Sequence, residues 1–326
     1  MVEIAAKWMR HLLIAISLVI FTVAAASTGC TRFPDRQAKL ELLYAGSLVK
    51  VQEKGVKPEF ERKTGIEVKG QGYGALTCAK LMKEGLRKPD VFISADSQVI
   101  EQELMGNRNG NLVKGYISFI SNRMVIAYSR KSRYFEDLER ARRGEALWYE
   151  VLARKGFRFG RTDPDLNPKG YRMIFAAKLA EDLYGKPGLA AEILKEKEPL
   201  IYGETELMSR LEFGDVDAAE AYANEAIERN LPYIELPSAV NLGDPDYAAN
   251  YAKVAFRSKT GRIYRGAPIM YTLAIPENAK HKKEAAVFVR FLLSQEGRDL
   301  YQRFGFTPIP INTTGSIPAE LKGIVR

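Results

Sequence analysis

The chain has 326 residues, of which 46% are hydrophobic and 27% charged, and its formal net charge is +9. This length exceeds what one hydrophobic core usually organises, so we expect two lobes, and the composition excludes a disordered or low-complexity protein. Two cysteines and two histidines are too few for a Cys/His zinc site or a disulfide framework.

The positive charge does not indicate a nucleic-acid-binding protein. Basic residues alternate with acidic ones, as in Lys195-Glu196-Lys197-Glu198, and do not cluster beside aromatic side chains. A basic surface can instead raise the rate at which an anion is captured. A mixed, solvated surface without a specific role is the alternative.

The first residues have the pattern of an export signal. An apolar run at 12–26 follows basic residues and ends in small residues, so we predict a signal sequence at 1–29. The run is shorter than the roughly 20 apolar residues of a membrane-spanning helix. Because Gly29-Cys30 resembles a lipoprotein processing box, we predict lipidation of Cys30 and a tether at 30–38 on the outer face of the cell membrane. Simple cleavage and a retained anchor are the alternatives.

The remaining chain alternates strand and helix patterns, which predicts an α/β layer architecture with parallel strands. Predicted strands cover 40–44, 66–69, 90–94, 122–129, 157–160, 216–222, 233–236, 251–257 and 269–275. The first predicted helix begins after Ser47 and ends at Thr64, and another begins at Ser97. The other predicted helices cover 76–85, 134–153, 170–184, 205–213, 281–293 and 295–304. We place lobe I at 39–122 plus 271–326 and lobe II at 123–270.

Two turns between a strand and a helix are candidates for anion binding, because backbone N–H groups at helix starts attract anions. In the first, Gly46 allows close approach of a ligand, while Ser47 either caps the helix or donates its hydroxyl to an oxyanion. In the second, Gly72 and Gly74 precede a helix in which Thr77 offers a hydroxyl. A plain loop is the alternative for this second turn.

Two further helix starts carry charged residues. In the segment Asn167-Pro-Lys-Gly-Tyr-Arg172, the arginine lies where the helix dipole disfavours a cation, which indicates a negative partner. Glu204 and Glu206 open another helix, where acidic residues are ordinary dipole partners. Tyr222 ends a predicted strand.

The order and spacing of five short segments resemble the extracellular molybdate/tungstate-binding proteins of ABC transporters, particularly the archaeal tungstate type. The segments are Tyr44-Ala-Gly-Ser-Leu48, Asp90-Val-Phe-Ile-Ser-Ala-Asp96, Asn167-Pro-Lys-Gly-Tyr-Arg172, Glu204-Thr-Glu-Leu207 and Phe304-Gly-Phe-Thr-Pro308. The resemblance implies a two-lobed type II periplasmic-binding-protein fold, with a mainly parallel sheet flanked by helices in each lobe and a ligand cleft between them. It also implies a monomer that passes its anion to an ABC permease and its ATPase, with no cofactor.

The resemblance also implies roles for single residues. Ser47 and Tyr222 match the residues that bind the anion, and Glu204 matches a carboxylate that contacts the molybdenum or tungsten directly. Asn167 stands where the family has a second, aspartate ligand, and Lys169 stands where it usually has a small residue. We therefore expect either a weakened six-coordinate site or a four-coordinate anion held by hydrogen bonds.

The second turn departs from the family as well. Gly74 and Ala75 replace the expected hydroxyl residue, which leaves Thr77 or backbone N–H groups to bind the anion. Asp165 is an alternative ligand if the loop is shifted by two residues.

Other function classes have less support. A binding protein for sulfate, phosphate or another small anion would share the fold. We do not expect an enzyme, because His11 lies in the signal, His281 lies in a lysine-rich helix start, and no G-x-S-x-G or H-E-x-x-H motif occurs. An anion sensor that contacts a membrane receptor is a third possibility.

Overall fold

Two β-sheets form the framework of the protein in the computed structural model, which describes residues 39–195, 199–321 and 323. The strands are β1 (Lys39–Ala45), β2 (Glu67–Tyr73), β3 (Val91–Ser94), β4 (Gly115–Ser121), β5 (Met124–Tyr128), β6 (Phe159–Thr162), β7 (Leu200–Tyr202), β8 (Ala218–Tyr222), β9 (Tyr233–Glu235), β10 (Ala255–Arg257), β11 (Ile263–Arg265), β12 (Met270–Ala274) and β13 (Thr307–Gly315).

Helices cover the faces of these sheets. They are α1 (Val49–Val51), α2 (Lys57–Thr64), α3 (Ala75–Lys83), α4 (Ser97–Glu103), α5 (Phe135–Arg142), α6 (Trp148–Ala153), α7 (Pro168–Tyr184), α8 (Leu189–Leu194), α9 (Glu204–Phe213), α10 (Ala223–Glu228), α11 (Ser238–Asn241), α12 (Ala248–Tyr251), α13 (Lys282–Leu293) and α14 (Gln295–Arg303). A 3₁₀ turn, Gly46–Leu48, and a π turn, Gln52–Val56, extend the run of helix from β1 to α2. Within the described ranges, none of the helices has the length and apolar character needed to cross a membrane.

The first sheet has the strand order β13-β4-β12-β3-β1-β2, and the second has the order β7-β6-β8-β5-β9. In the first, β1 pairs in parallel with β2 and β3, whereas β12, β4 and β13 pair in the antiparallel sense. In the second, β6 is parallel to β7 and β8, while β5 is antiparallel to β8 and β9. The predicted α/β fold is confirmed, but both sheets are mixed where mainly parallel sheets were expected.

The chain passes between the sheets at two neighbouring points. It leaves the first sheet after β4 and enters the second with β5 at Met124, and it returns to the first sheet with β12. The two passages lie side by side, because the Asn122 N–H donates to the Ile269 carbonyl at 3.4 Å. The strand predicted at 122–129 corresponds to β5, which is shorter than predicted. Strand β4, which precedes it, was not predicted.

The central strands are buried on both faces. In β5, Met124, Ile126 and Tyr128 belong to one hydrophobic cluster, while the alternate residues Val125 and Ala127 belong to another that includes side chains of α9. This division follows from the two-residue period of a strand. The apolar run of β5 therefore reflects a strand that is covered on both sides.

Two chain segments differ from their predicted structure. The strand predicted at 251–257 begins only at Ala255, because the buried Tyr251 ends α12 and residues 252–254 form the turn that follows this helix. Strand β13 was not predicted, because it contains Pro308 and Pro310, which are residues that usually exclude a strand. It is an edge strand whose register shifts between Pro308 and Asn312, a position where a missing N–H is tolerated.

The β10–β11 hairpin is attached to α4 by side-chain amides. The Gln98 amide donates to the Arg265 carbonyl at 2.8 Å and accepts from the Arg265 N–H at 2.9 Å. One helical turn later, the Gln102 amide donates to the Ile263 carbonyl at 2.8 Å. On its other side the hairpin stacks Tyr264 against Tyr171 of α7, with ring centroids 4.9 Å apart. The hairpin thus connects α4 with α7.

An ion pair between a buried carboxylate and a partly exposed arginine stabilises the second sheet. Asp217 accepts hydrogen bonds from Ser132 and from the backbone and guanidinium of Arg158. Burial works to raise the pKa of the Asp217 carboxyl, but these hydrogen bonds outweigh it and hold the pKa below its ordinary value. Its contribution to stability is therefore present at neutral pH and is lost as the pH falls through the depressed pKa.

We expect Asp217→Asn to lower the free energy of unfolding by about 1–3 kcal/mol at pH 7, because it leaves charged donors poorly satisfied. The variant should also lose less stability than the wild type on acidification. Chemical denaturation at several pH values measures both effects. The control is Asp215→Asn, at a side chain that is 55% exposed, where the change should stay within about 0.5 kcal/mol. Equal effects of the two substitutions would contradict the prediction.

Candidate functional site

Ser47 contributes a buried hydroxyl at the end of β1. The residue is 3% exposed, and its Oγ lies 3.0 Å from the hydroxyl of Tyr271 on β12. No side-chain cap is formed at the helix start after β1, so the capping interpretation of Ser47 is wrong. Tyr271 was not predicted as a site residue, because in sequence it looks like an ordinary core tyrosine of an apolar strand.

Tyr222 brings a second hydroxyl to the same place from the other sheet. It is fully buried at the end of β8, and its ring lies edge-on to that of Tyr271, with centroids 6.1 Å apart. Its phenol oxygen accepts a hydrogen bond from Nη1 of Arg172 at 2.8 Å. Strand ends of both sheets therefore supply neighbouring hydroxyl groups.

Arg172 has the negative partner that its place in the helix indicated. Its Nη2 lies 3.0 Å from the Asp96 carboxylate, and its Nη1 also donates to the Ala95 carbonyl at 2.7 Å. Tyr171 donates its hydroxyl to the same carboxylate at 2.8 Å. Burial works to lower the pKa of the Arg172 guanidinium, but Tyr222 and Asp96 raise it above its ordinary value. Arg172 is therefore a permanent cation, and Asp96 is a neighbour that sequence reasoning missed.

Asn167 and Lys169, at the start of α7, contact the carboxylate of Glu204, which is the first residue of α9. The Asn167 side chain caps the helix by accepting from the Lys169 N–H at 2.9 Å, and its amide donates to Glu204 Oε2 at 3.0 Å. The Lys169 Nζ, which is fully buried, lies 2.8 and 3.0 Å from the two Glu225 oxygens and 3.4 Å from Glu204 Oε1. Burial lowers the pKa of Lys169, but the carboxylates of Glu225 and Glu204 outweigh it and keep the ammonium charged.

Glu204 carries a buried oxygen, Oε1, that lies 3.4 Å from the Lys169 Nζ but forms no well-directed hydrogen bond with the described residues. Its side chain is 7% exposed. Burial raises the pKa of Glu204 to about 7, although Lys169 acts in the opposite direction. On its other side the carboxylate touches Gly46, where an added Cβ would lie only 2.0 Å from Oε2. The glycine of the first turn is therefore needed for this close approach.

The second turn contacts the start of α7. The N–H and hydroxyl of Thr77 both point at the Leu166 carbonyl, at 3.3 and 3.4 Å, and a Cβ on Gly74 would lie 2.4 Å from the same oxygen. Ala75 is buried. Asp165, the alternative ligand, instead accepts from the Lys259 N–H at 2.8 Å. Anion binding by Gly74, Ala75 and Thr77 stays a prediction.

Two cavities meet at the contact between Gly46 and Glu204. The larger, of about 590 Å³, is lined by the second turn, Asn167 and Glu204, and the smaller, of about 260 Å³, is lined by Ser47, Glu204 and Glu225. Among the residues that the structure describes, no group of three or more His, Cys, Asp or Glu side chains is arranged to hold a metal ion.

Two sheets joined by paired crossovers, with polar groups from both at one site, define a solute-binding protein of the type II periplasmic-binding class. The family model described as bacterial extracellular solute-binding protein matches residues 40–307. The chain belongs to this family.

Individual relatives agree with this assignment. A putative ABC transporter molybdenum-binding protein of Haloferax volcanii is 34% identical over 262 residues, which cover 80% of each chain. The molybdate/tungstate-binding protein of Pyrococcus abyssi is 30% identical, with 96% of this chain and 97% of that one covered. This similarity confirms the family resemblance seen in the sequence segments.

Solved structures share the fold. The periplasmic molybdate-binding protein of Azotobacter vinelandii superposes with a TM-score of 0.61 at 15% identity, over 82% of this chain and 98% of that one. The sulfate-binding protein SubI from Mycobacterium tuberculosis gives a TM-score of 0.57 at 16% identity, over 87% and 89% of the two chains. The family is extracellular and serves transport, so the protein acts outside the cytoplasm. The predicted signal, Cys30 and the tether lie outside the described residues.

The raised pKa of Glu204 makes stability depend on pH in a defined direction. Because the folded value of about 7 exceeds the ordinary 4.5, the contribution of Glu204 is fully present below pH 4.5 and is lost as the pH rises through 7. Glu204→Gln should therefore flatten the decline in the free energy of unfolding over this range, as measured by denaturant titration. Glu206→Gln, at a side chain that is 53% exposed, is the control. A wild-type slope in Glu204→Gln would refute the prediction.

Proposed function

We propose that the protein is the extracytoplasmic solute-binding component of an ABC importer, that it binds molybdate or tungstate, and that it delivers the anion to a permease and its ATPase. Support comes from the relatives named for these anions. The observation that carries the proposal is a buried cluster of hydroxyl donors from both sheets, formed by Ser47, Tyr271 and Tyr222 beside the cation Arg172. Hydroxyl and N–H donors bind oxyanions without requiring net positive charge.

The proposal includes a division into two lobes with the ligand cleft between them. Lobe I comprises 39–122 and 271–326, and lobe II comprises 123–270. The positions of the two crossovers, next to Asn122 and Ile269, support these boundaries. We further propose that Cys30 is lipidated after removal of the signal and holds the protein, as a monomer, on the outer face of the membrane. In this proposal the protein carries the anion and catalyses no reaction.

In the proposed complex, Ser47 and Tyr222 donate to oxygens of the anion, and Thr77 or N–H groups near Gly74 and Ala75 add donors from the second turn. Oε1 of Glu204, whose contact with the Lys169 Nζ is long at 3.4 Å, is the protein oxygen placed to approach molybdenum or tungsten, which can accept further oxygen ligands. Asn167 already uses its amide on the other oxygen of Glu204. Lys169 offsets the charge of that carboxylate at 3.4 Å.

Ligand titration tests the proposed function. The mature domain, without residues 1–38, is titrated calorimetrically and by thermal shift with tungstate, molybdate, sulfate and phosphate. We expect tungstate and molybdate to stabilise the fold, by about 2.7 kcal/mol at a concentration of 100 Kd. Stabilisation by sulfate or phosphate at concentrations where tungstate and molybdate have no effect would assign the protein to another anion.

The contact between Gly46 and Glu204 predicts a sensitive glycine. In Gly46→Ala the new methyl group would overlap the Glu204 carboxylate, which has to swing out of the site and leave Asn167. We expect tungstate affinity to fall by about 10-fold or more, corresponding to at least about 1.4 kcal/mol.

Gly203→Ala is the matched control. Gly203 directly precedes Glu204, has a φ of −64°, and has no atom near an added Cβ. The Gly203→Ala variant should therefore bind tungstate with the affinity of the wild type. Equal affinities in the two alanine variants would show that the Gly46–Glu204 contact does not matter for binding.

A further inference from the structure

The Arg172 guanidinium contacts three groups from two parts of the chain, two of them through hydrogen bonds and one as an ion pair. It is 3% exposed. Its Nη1 donates to the Tyr222 phenol oxygen at 2.8 Å and to the Ala95 carbonyl at 2.7 Å, and its Nη2 lies 3.0 Å from the Asp96 carboxylate. Ala95 and Asp96 follow β3 of the first sheet, whereas Tyr222 ends β8 of the second. The guanidinium therefore connects the turn after β3 with the hydroxyl of Tyr222.

The hydrogen bond from Arg172 determines what Tyr222 can do. A phenol has one O–H to donate and lone pairs to accept, whereas a guanidinium only donates. The Tyr222 oxygen is therefore the acceptor in this contact, and its own hydrogen has to point elsewhere. Within the described chain, the hydrogen bonds of the Tyr222 side chain include no acceptor for that hydrogen. The neighbouring group is the hydroxyl pair of Ser47 and Tyr271.

We propose that Arg172, held in place by Asp96, is a positioning residue that directs the Tyr222 O–H toward the bound anion. This inference rests on the proposed function, since it assigns a role at the same site. It accounts for a cation in the first turns of α7, where the helix dipole disfavours it. Asp96 and Ala95 belong to lobe I, whereas Arg172 and Tyr222 belong to lobe II, so the groups that hold the guanidinium in place are present only while the two lobes are together. Closure of the lobes and recognition of the anion are thereby coupled.

A double-mutant cycle separates this role from a purely structural one. The wild type, Tyr222→Phe, Arg172→Met and the double variant are titrated calorimetrically with tungstate, and thermal unfolding checks that each is folded. In the wild-type background, Tyr222→Phe should weaken binding roughly 5- to 150-fold. In the Arg172→Met background the same substitution should change the Kd by less than about threefold, because Tyr222 is no longer held as a donor. If Tyr222→Phe raises the Kd by the same factor in the wild-type and Arg172→Met backgrounds, the inference is overturned.

A second ion pair provides the matched control. Arg158 is paired with the buried Asp217 at 2.9 Å within the second lobe and makes no contact with Tyr222. In the Arg158→Met background, Tyr222→Phe should retain its full effect on the Kd. Loss of the effect there as well would mean that general destabilisation, and not positioning by Arg172, explains the cycle.

A milder variant covers the case in which Arg172→Met does not fold. Asp96→Asn keeps the arginine but removes its charged partner, so the effect of Tyr222→Phe should shrink in this background too, and an unchanged effect would overturn the inference.

The outcome for the wild type separates the two proposals. If the wild type binds tungstate but Tyr222→Phe weakens binding equally with and without Arg172, only the positioning role of Arg172 is refuted. If it binds sulfate instead, the proposed function fails, and the same cycle with sulfate decides the role of Arg172. If it binds no anion, both fail.

Discussion

The pairing of two buried cations at the start of α7 is the constraint on which the site depends. Lys169 and Arg172 lie on this helix without access to water, and their partners Glu225 and Asp96 come from other elements. A buried charge that loses its partner costs several kcal/mol, so each pair resists separation of the elements that supply it. Helix α7 is therefore fixed against α10 and against the turn after β3, and the hydroxyl of Tyr222 takes its position from this arrangement.

Because both cations already have carboxylate partners, the site does not offer an unbalanced positive charge to a ligand. What remains is a set of dipolar donors, notably the hydroxyls of Ser47 and Tyr222, and one carboxylate oxygen of Glu204 that has no well-directed hydrogen bond within the described part of the chain. Under the proposed function, such a site discriminates by the geometry and coordination chemistry of the anion more than by its charge. Net electrostatic attraction would then act on the rate of capture through the net positive charge of the chain.

Local patterns predicted much of the fold and only part of the site. The alternation of strand and helix, and the turn that carries Ser47, could be predicted because they depend on neighbours in sequence. The roles of Tyr271 and Asp96 could not, because each depends on a partner far away in the sequence, Ser47 for Tyr271 and Arg172 for Asp96, and no spacing within the chain encodes that pairing. Strand β13 was missed for a similar reason, since the prolines that normally exclude a strand are tolerated at the edge of a sheet. Its pairing with β4 is a property of the assembled sheet.

The amides of Gln98 and Gln102 have a consequence for the behaviour of the protein in solution. An unpaired strand edge is a template on which a strand of another molecule can add. On β11, donors and acceptors that would face such a strand are already occupied, since Gln98 takes both backbone groups of Arg265 and Gln102 takes the carbonyl of Ile263. Two glutamines on one helix face thus act as a substitute strand, which protects this short hairpin against intermolecular β-pairing without lengthening the sheet.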